Sequence, residues 1–460
     1  MSDTVDLLGF PVKQLTEEEV NARRRAASEE NAPARLKWWT KQAPKVKPGV
    51  TPKGKLKRMI RGGIPHELRP TVWPRLAGVD AKREKLGANY YSKLVKKISK
   101  VPHAVKTQID MDIHRTFPGH PLIKSPRGAD AMRRILLAYA LHNPQVGYTQ
   151  GMNYVAGFLL IVLGGTDGDR LASGGEETAF MILLCVIDDI LHSELFGDDL
   201  IGLHIEMAVL RALVSMRAPR VATVFERLQV PISVVCTEWF LGMFTRAMPS
   251  ETVARIWDSV LSEGVKVVFR FSLGLLLTSE PRLLPCVHVG QVIQVMRTRC
   301  ERMHDRQRLV KAAFDVKLKR DEISKLRVSK GEEVRDQISK NAGSRLGKQM
   351  ARITGAMNVQ DSPDRNRLDL AVNGMAPALG AQSNRETENA SQGEPGHSIA
   401  KKSMGGQSSR KGAAIARVSS KGGAIARVSS SKGAVSGKNT PRAPSAPRSR
   451  GTSAGVPQRS

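Results

Sequence analysis

Residues 129–142 have the sequence ADAMRRILLAYALH, and the spacing of their apolar side chains decides the fold class. Arg133 and Arg134 fall on one side of a helix, and Asn143-Pro144 ends the pattern because a residue before proline disfavours helical backbone angles. The segment therefore predicts an amphipathic helix. Its apolar side consists of Met132, Ile135, Leu136 and Ala140.

The same helical spacing recurs on both sides of this segment. No alternation of apolar and polar residues predicts a strand, and no period of about 30–45 residues recurs, which argues against a repeat solenoid. We expect an all-α fold with a single multi-helix domain. Further helices are predicted at 89–99, 106–115, 151–163, 177–191, 204–216, 219–228, 232–246, 250–261, 265–278 and 287–303.

Composition divides the 460 residues into five segments. The two ends are expected to be disordered and basic, because few apolar groups are present to offset the entropy of ordering. A short helix is predicted near residues 17–27. The segments are 1–33 (a mobile polar leader), 34–60 (a basic lead-in with Trp38-Trp39), 61–300 (the helical domain), 301–355 (a charged helical extension) and 356–460 (a disordered basic low-complexity tail).

The formal net charge is +29, and nearly half of it lies at the C-terminal end. Residues 401–460 contain thirteen Lys or Arg and no Asp or Glu. Such a tail is expected to attract anionic lipid or nucleic acid in a salt-dependent way. Trp38-Trp39 lies in a second basic stretch. We expect this pair to pack on the core, the alternative being a stacking platform for nucleic acid.

Several functional classes are disfavoured. The four cysteines include no C-x-x-C pair, so each is expected to be a small buried hydrophobe and no metal site is predicted. The longest mainly apolar stretch, 152–163, is too short to span a bilayer, and the first residues lack a secretory pattern. Residues 49–55 fit the front of a phosphate-binding loop, but Leu56 stands where Ser or Thr should follow. We expect a soluble intracellular chain that binds no nucleotide itself.

Two short segments place an arginine and a glutamine at helix edges. Ile109, Asp112 and Arg115 are spaced three apart, so they share one side of a helix that the sequence TFP then ends. A carboxylate at Asp112 can hold the guanidinium of Arg115 in a fixed pose. Residues 147–151, GYTQG, form a loop with Gln150 at the entrance of the next helix. GTP hydrolysis uses this pair of side chains, an arginine to neutralise charge on the γ-phosphate and a glutamine to orient the attacking water.

Each of these residues also has an ordinary structural interpretation. An arginine near a helix C-terminus is favoured by the helix dipole and is often only solvated. Gln150 alone would be a residue of a capping loop, and Tyr148 would more simply pack. Asp258, which ends the sequence RIWD, would accept hydrogen bonds from an arginine or from a helix end.

Taken in order, the motifs resemble the TBC-domain family of Rab GTPase-activating proteins. The resemblance runs from about residue 61 to about residue 300 and shows no departure at Arg115 or Gln150. The family's motifs fall on 109–115 (I-x-x-D-x-x-R), 148–150 (Y-x-Q), 255–258 (R-I-W-D) and 261–264 (L-x-E-G).

The resemblance implies a TBC domain that supplies two catalytic side chains to a GTP-bound Rab. Arg115 would stabilise charge on the transferring phosphoryl group, and Gln150 would orient the water in trans. Asp112 would steady Arg115, Tyr148 would shape the loop, and Asp258 would be a further supporting residue. GTP and Mg²⁺ would belong to the partner, so no cofactor of this chain is expected.

Two other functions stay open at this point. A catalytically silent Rab-binding scaffold would use the same surface, although the intact Arg115 and Gln150 argue against it. A nucleic-acid-binding protein would be driven by the basic ends. A Rab regulator must meet a membrane-anchored substrate, so we expect a cytoplasmic protein, peripheral at endomembranes, with its basic tail on anionic membrane and a role in vesicle trafficking. The sequence does not name the Rab.

Overall fold

The computed structural model describes residues 5–12, 14–165, 171–191, 194–197 and 200–341. These ranges contain nineteen α-helices and no β-strand, so the prediction of an all-α fold is confirmed. The predicted tail, residues 356–460, lies outside the described residues.

The helices are α1 (Glu17–Glu30), α2 (Pro33–Gln42), α3 (Gly54–Arg61), α4 (Arg69–Ala77), α5 (Val79–Leu86), α6 (Tyr90–Val95), α7 (His103–Arg115), α8 (Pro121–Lys124), α9 (Pro126–His142), α10 (Met152–Gly164), α11 (Glu176–Leu184), α12 (Ile201–Arg217), α13 (Pro219–Arg227), α14 (Ile232–Leu241), α15 (Ser250–Glu263), α16 (Lys266–Leu283), α17 (Val289–Glu301), α18 (Arg306–Asp315) and α19 (Arg320–Asn341). Wider, π-helical turns flank α11 at Leu171–Gly175 and Cys185–Ile190.

The helix α10 is buried along its whole length. Its sequence, MNYVAGFLLIVLG, is apolar on nearly every side, and such a helix is stable only inside a core. α9 and α11 pack against it. Phe158 of α10 lies 5.5 Å from the ring of Trp257 in α15, and Trp257 stacks on Trp73 of α4 at 5.6 Å. This packing fixes α10, and with it the loop that enters it.

Every residue of α15 is buried, although the helix carries charged side chains. Buried charges are tolerated when each one is paired and hydrogen-bonded. The partners come from elements far away in the sequence. The ion pairs are Glu251 with Arg23 and Arg306, Arg255 with Glu30, Asp258 with Arg69, and Glu263 with Lys57 and Arg61.

The prediction of a mobile leader over residues 1–33 does not hold for the described residues 5–12 and 14–33. A helix was predicted at 17–27, and α1 extends it to Glu30 after a capping box at Thr16. α1 packs on α18, and Arg23 pairs with Glu251 at 3.0 Å. The polar composition was misleading, because Arg23 and Glu30 are buried charges whose partners lie more than 200 residues away in the sequence.

The described part of the predicted charged helical extension contains two helices, α18 and α19. α18 packs on α16, and α19 packs on α12. The helix breaks after Asp315, where Val316 adopts extended backbone. Val316 and Leu318 are both buried, so the chain in this stretch follows the two-residue period of an extended segment. Residues 342–355 lie outside the described residues.

Two smaller predictions, the packing of Trp39 on the core and the burial of the cysteines, are also confirmed. Trp39 is fully buried, and its Nε1 donates a hydrogen bond to the carbonyl oxygen of Gly63 at 3.2 Å. All four cysteines are buried and free. Among the described helices, none has the length and apolar character needed to cross a membrane.

Candidate functional site

Arg115 is the last residue of α7 and projects from its C-terminal end. The helix ends there because Thr116 adopts extended backbone and Phe117 has a φ of +44°. Nε of Arg115 donates to Oδ1 of Asp112 at 2.6 Å, one turn back along the helix. The Asp112 side chain is only 2% exposed, whereas that of Arg115 is 26% exposed. A buried carboxylate therefore holds a cation that solvent, and a partner, can reach.

The other oxygen of the same carboxylate belongs to the glutamine loop, residues 147–151. The hydroxyl of Tyr148 donates to Oδ2 of Asp112. Burial, reinforced by the negative charge of Asp112, raises the pKa of Tyr148 well above 10. The phenol consequently stays protonated at physiological pH and remains a donor. Asp112 thus joins the helix that carries Arg115 to the loop that carries Gln150.

The backbone of the glutamine loop needs glycine at two positions. Gly147 has a φ of +58° and Gly151 a φ of +114°, which L side chains rarely adopt. A Cβ on Gly151 would also lie 3.1 Å from Leu241 of α14. The hydroxyl of Thr149 donates to the carbonyl oxygen of Phe196 at 2.7 Å. These restraints bracket Gln150, which is half-buried at the entrance of α10.

A second connection between the two segments was missed from the sequence. Asn153 of α10 is fully buried, and its Nδ2 donates to Oγ1 of Thr116 at 2.7 Å. Its Oδ1 accepts from the backbone N–H of Gly151 at 2.9 Å. Thr116 in turn donates to the carbonyl oxygen of Asp112 at 2.6 Å. The only signal in the sequence is an asparagine inside an otherwise apolar helix, which must find hydrogen-bond partners when buried.

Asp258 lies in a different cluster from the other predicted site residues. It is fully buried, and its four hydrogen bonds come from outside the arginine and glutamine segments. The donors are the backbone N–H of Ile64 at 2.9 Å, Nε and Nη2 of Arg69 at 3.0 and 3.1 Å, and Nε1 of Trp73 at 2.8 Å. Asp258 therefore fastens α15 to α4 and to the segment before α4, in agreement with the structural interpretation of this residue.

The site consists of a preorganised cation, Arg115, joined through Asp112 to the loop that carries Gln150. Nowhere in the described ranges do three or more His, Cys, Asp or Glu side chains gather as a metal site would require. A guanidinium held in place before the reaction can stabilise charge that develops on a transferring group without having to reorganise. A second molecule that reaches the partly exposed Arg115 side chain could present such a group.

Comparison with known proteins decides the family. The model of the Rab-GTPase-TBC domain matches residues 66–284. The TBC domain of a Chlamydomonas flagellar RabGAP is 34% identical, covers 68% of this chain and 98% of its own, and superposes with a TM-score of 0.59. The chain belongs to the Rab-GTPase-TBC domain family.

Other members of the Rab-GTPase-TBC family place the match in context. Growth hormone-regulated TBC protein 1-A of Danio rerio is 32% identical over 265 residues, 56% of this chain and 67% of that protein. TBC1 domain family member 2A of Mus musculus is 32% identical over 269 residues, 58% of this chain but only 28% of that protein. The chain thus matches less than a third of the length of this relative. The Ypt/Rab-GAP domain of Gyp1p, at 20% identity and a TM-score of 0.50, has the same fold.

Proposed function

We propose that this chain accelerates GTP hydrolysis by a Rab-family GTPase and that it supplies Arg115 and Gln150 to the partner's active site. The observation that carries the proposal is the carboxylate of Asp112, which binds Arg115 through one oxygen and the glutamine loop through the other. This arrangement presents an arginine and a glutamine from two separate segments in one fixed relation. Membership of the Rab-GTPase-TBC family names the class of partner.

In this proposal Arg115 enters the nucleotide site of the GTP-bound partner. Its guanidinium stabilises the charge that accumulates on the oxygens of the transferring phosphoryl group. The pairing with Asp112 fixes the guanidinium beforehand, so less conformational entropy is lost when the complex forms. Because only 26% of the Arg115 side chain is exposed, we expect it to contribute more to the transition state than to binding of the partner.

Gln150 orients the attacking water in the same complex. Its backbone is restrained on both sides, by Thr149 bonded to Phe196 and by Gly151 packed on Leu241. A side chain on a restrained loop can hold a water in line with the bond that breaks, which an untethered amide does poorly. GTP and Mg²⁺ are parts of the partner, and the chemistry at the metal takes place there.

Single-turnover GTP hydrolysis by a panel of purified GTP-loaded Rabs tests this function. The full chain is compared with Arg115→Ala and Gln150→Ala. Loss of Arg115 is expected to lower the maximal rate about 10³–10⁵-fold. Arg217→Ala is the matched control, because Arg217 is also the last residue of a helix, α12, is 32% exposed and pairs with Glu322 at 2.6 Å.

Each outcome identifies a mechanism. Acceleration of one or a few Rabs that is lost in both variants but kept in Arg217→Ala supports the proposal and names the substrate. If Gln150→Ala still accelerates hydrolysis, the attacking water is oriented by the partner's own residues. Tight binding of GTP-loaded Rabs without any acceleration by the wild-type chain would favour a silent Rab-binding scaffold.

We further propose that the protein is cytoplasmic and peripheral at endomembranes, where it regulates vesicle trafficking and its basic tail meets anionic lipid. The thirteen Lys or Arg residues of 401–460, with no acidic residue among them, support electrostatic attraction. Cosedimentation of the full chain with phosphatidylserine vesicles, at low and at high salt, tests the tail's role. Binding that is absent, or that salt does not weaken, would contradict it.

A further inference from the structure

The backbone directly after Arg115 is in an unfavourable conformation. Phe117 has a φ of +44°, which is uncommon for a bulky residue and persists only where the surroundings hold it. Phe117 belongs to the arginine loop, residues 115–120, and lies two residues from the guanidinium. Whatever holds Phe117 in place therefore also sets the direction in which the end of α7 points.

Two aromatic rings hold Phe117. Tyr154 of α10 lies edge-on at 5.3 Å, and its hydroxyl donates to the carbonyl oxygen of Arg115 at 3.4 Å. Phe10 lies on Phe117 at 5.1 Å, with the rings at 88°. Edge-to-face contacts at these distances are favourable beyond the apolar area that they bury. Phe10 comes from the N-terminal turn, residues 5–11, which lies outside the matched TBC region at 66–284.

The N-terminal turn also contacts the far end of the arginine loop. His120 is fully buried, and its Nε2 donates to the carbonyl oxygen of Leu8 at 2.8 Å. The Phe10 ring lies 4.8 Å from the His120 ring. A Cβ on Gly119 would lie 3.0 Å from Pro11. The turn is therefore packed along the loop from Phe117 to His120.

The N-terminal turn has its own internal support. Oδ1 of Asp6 accepts from the backbone N–H groups of Leu8 and Phe10, both at 2.9 Å. Oδ2 of Asp6 accepts from the hydroxyl of Ser250 at the start of α15. The backbone N–H of Leu7 donates to Glu251 at 3.2 Å. α15 thus anchors the turn on one side while Phe10 contacts the arginine loop on the other.

We propose that the N-terminal turn positions the arginine loop for catalysis and that Phe10 is the residue through which it acts. The inference rests on the proposed function of Arg115 and adds a positioning residue outside the matched family region. Phe10 touches no reacting group. It restricts Phe117, and Phe117 is joined to Arg115 through one intervening residue, so removal of the ring lets the guanidinium leave its productive pose.

The effect is expected on the rate within the complex. A misplacement of about 1 Å costs roughly 100-fold in rate, so Phe10→Ala should lower the maximal single-turnover rate by about 10- to 100-fold. The Kd for the GTP-loaded partner should change less than about threefold, because no residue of the matched TBC region is altered. Phe10→Tyr keeps the ring and should keep the rate.

Phe314→Ala is the matched control. Phe314 of α18 is also half-buried, and its ring lies edge-on to the buried Phe271 at 5.9 Å, with the guanidinium of Arg61 over it at 4.0 Å. The Phe314→Ala substitution should lower the melting temperature about as much as Phe10→Ala does, and it should leave the maximal rate unchanged. An Arg115→Ala background completes the test, since Phe10→Ala should cost nothing further once the guanidinium is absent.

Hydrogen exchange gives a readout that needs no partner. Backbone amides of residues 113–120 should exchange faster in the full-length Phe10→Ala chain than in wild type. In Phe314→Ala the same amides should exchange at the wild-type rate. Unchanged exchange at these amides would overturn the proposal whether or not any Rab is activated. A rate loss in Phe10→Ala that Phe314→Ala reproduces would also overturn it, because the effect would then be general destabilisation. If the wild-type chain activates no Rab, the proposed function fails, and exchange alone decides whether the turn restrains the loop.

Discussion

The hydroxyl of Tyr148 donates a hydrogen bond to Oδ2 of Asp112, while Oδ1 of the same carboxylate accepts from Arg115. A parallel arrangement exists elsewhere in the domain. Tyr91 donates to Oε1 of Glu176 at 2.5 Å, and the same carboxylate pairs with Arg134. Only the first of the two sets is joined to the glutamine loop. The comparison separates what such a triad contributes to folding from what it contributes to catalysis.

Tyr148→Phe is expected to lower the maximal rate of Rab GTP hydrolysis about tenfold. The change leaves one oxygen of a buried carboxylate without its donor, at a cost of about 1–3 kcal/mol. Asp112 can then rotate toward other hydrogen-bond donors. It no longer fixes Arg115 relative to the loop that carries Gln150. Single-turnover rates of Rab GTP hydrolysis, at a saturating concentration of this chain, measure the effect.

The control for Tyr148→Phe is Tyr91→Phe. Tyr91 and Tyr148 are 7% and 8% exposed, and each donates to a carboxylate that an arginine shares. Both variants should lose similar stability to urea, but only Tyr148→Phe should lose rate. Equal rates for the two variants would show that the link between Asp112 and the loop is structural only.

Thr116→Val tests the second connection between the arginine and glutamine segments. The substitution keeps the shape of the side chain but removes the hydroxyl that bridges Asn153 to the carbonyl oxygen of Asp112. We expect the maximal rate to fall about tenfold, since a buried amide loses its acceptor. Thr116→Ser keeps the hydroxyl and should retain most of the rate.

A remote threonine provides the comparison for Thr116→Val. Thr252 is buried in α15 and donates to the carbonyl oxygen of Met303 at 2.6 Å. Thr252→Val should destabilise the chain by a similar amount, about 1–3 kcal/mol, without changing the rate. If Thr252→Val slows hydrolysis as much as Thr116→Val, the bridge has no particular role in catalysis.

The sequence predicted much of the fold because helical periodicity is a local signal. The predicted helix at 106–115 ends where α7 ends, at Arg115, and the contact between Asp112 and Arg115 follows from their spacing along one helix. Local patterns could not show the packed leader. Arg23 and Glu251 are 228 residues apart in sequence, and a buried pair of this kind looks like two solvated charges until the chain is folded.

Long-range hydrogen bonds explain what was missed at the site. Asn153 is separated from Thr116 by 37 residues, and Tyr148 from Asp112 by 36. Neither spacing belongs to a helix or to a turn, so no periodicity argument links the members of either pair. The role of Phe10 was hidden for the same reason, because only the folded chain places it on Phe117.

Gly151→Ala and Gly147→Ala should differ in effect although both glycines lie in one loop. At Gly151 the φ of +114° and the approach of Leu241 to 3.1 Å both oppose a Cβ. At Gly147 the φ is +58°, within the left-handed region, and a Cβ would meet the carbonyl oxygen of Pro144 at 4.0 Å, an ordinary van der Waals contact. We expect Gly147→Ala to cost about 1 kcal/mol of stability and to retain activity. Gly151→Ala should displace Gln150 and lower the maximal rate at least tenfold, and equal activity of the two variants would contradict this.

His120 is expected to make the support of the arginine loop depend on pH. Burial lowers the pKa of His120 below 6.5. Its Nδ1 accepts from the backbone N–H of Leu122 at 3.2 Å, and its Nε2 donates to Leu8, so the folded chain needs the neutral ring. Between the lowered pKa and about 6.5 the unfolded chain binds more protons, and stability therefore falls as the pH decreases. The contribution of His120 is complete above about pH 6.5 and is lost as the pH falls through the lowered pKa.

His120→Asn isolates this contribution. The asparagine oxygen can still accept from Leu122 at the start of α8, but the hydrogen bond to Leu8 is lost. The difference in the free energy of unfolding between wild type and variant should be about 1 kcal/mol larger at about pH 8 than at about pH 5. Asp6, whose pKa burial raises to about 6, is present in both chains and acts in the opposite direction. Urea unfolding of wild type and His120→Asn at the two pH values measures this difference in free energy. A difference that does not change with pH would mean that the neutral ring is not what holds Leu8 against the arginine loop.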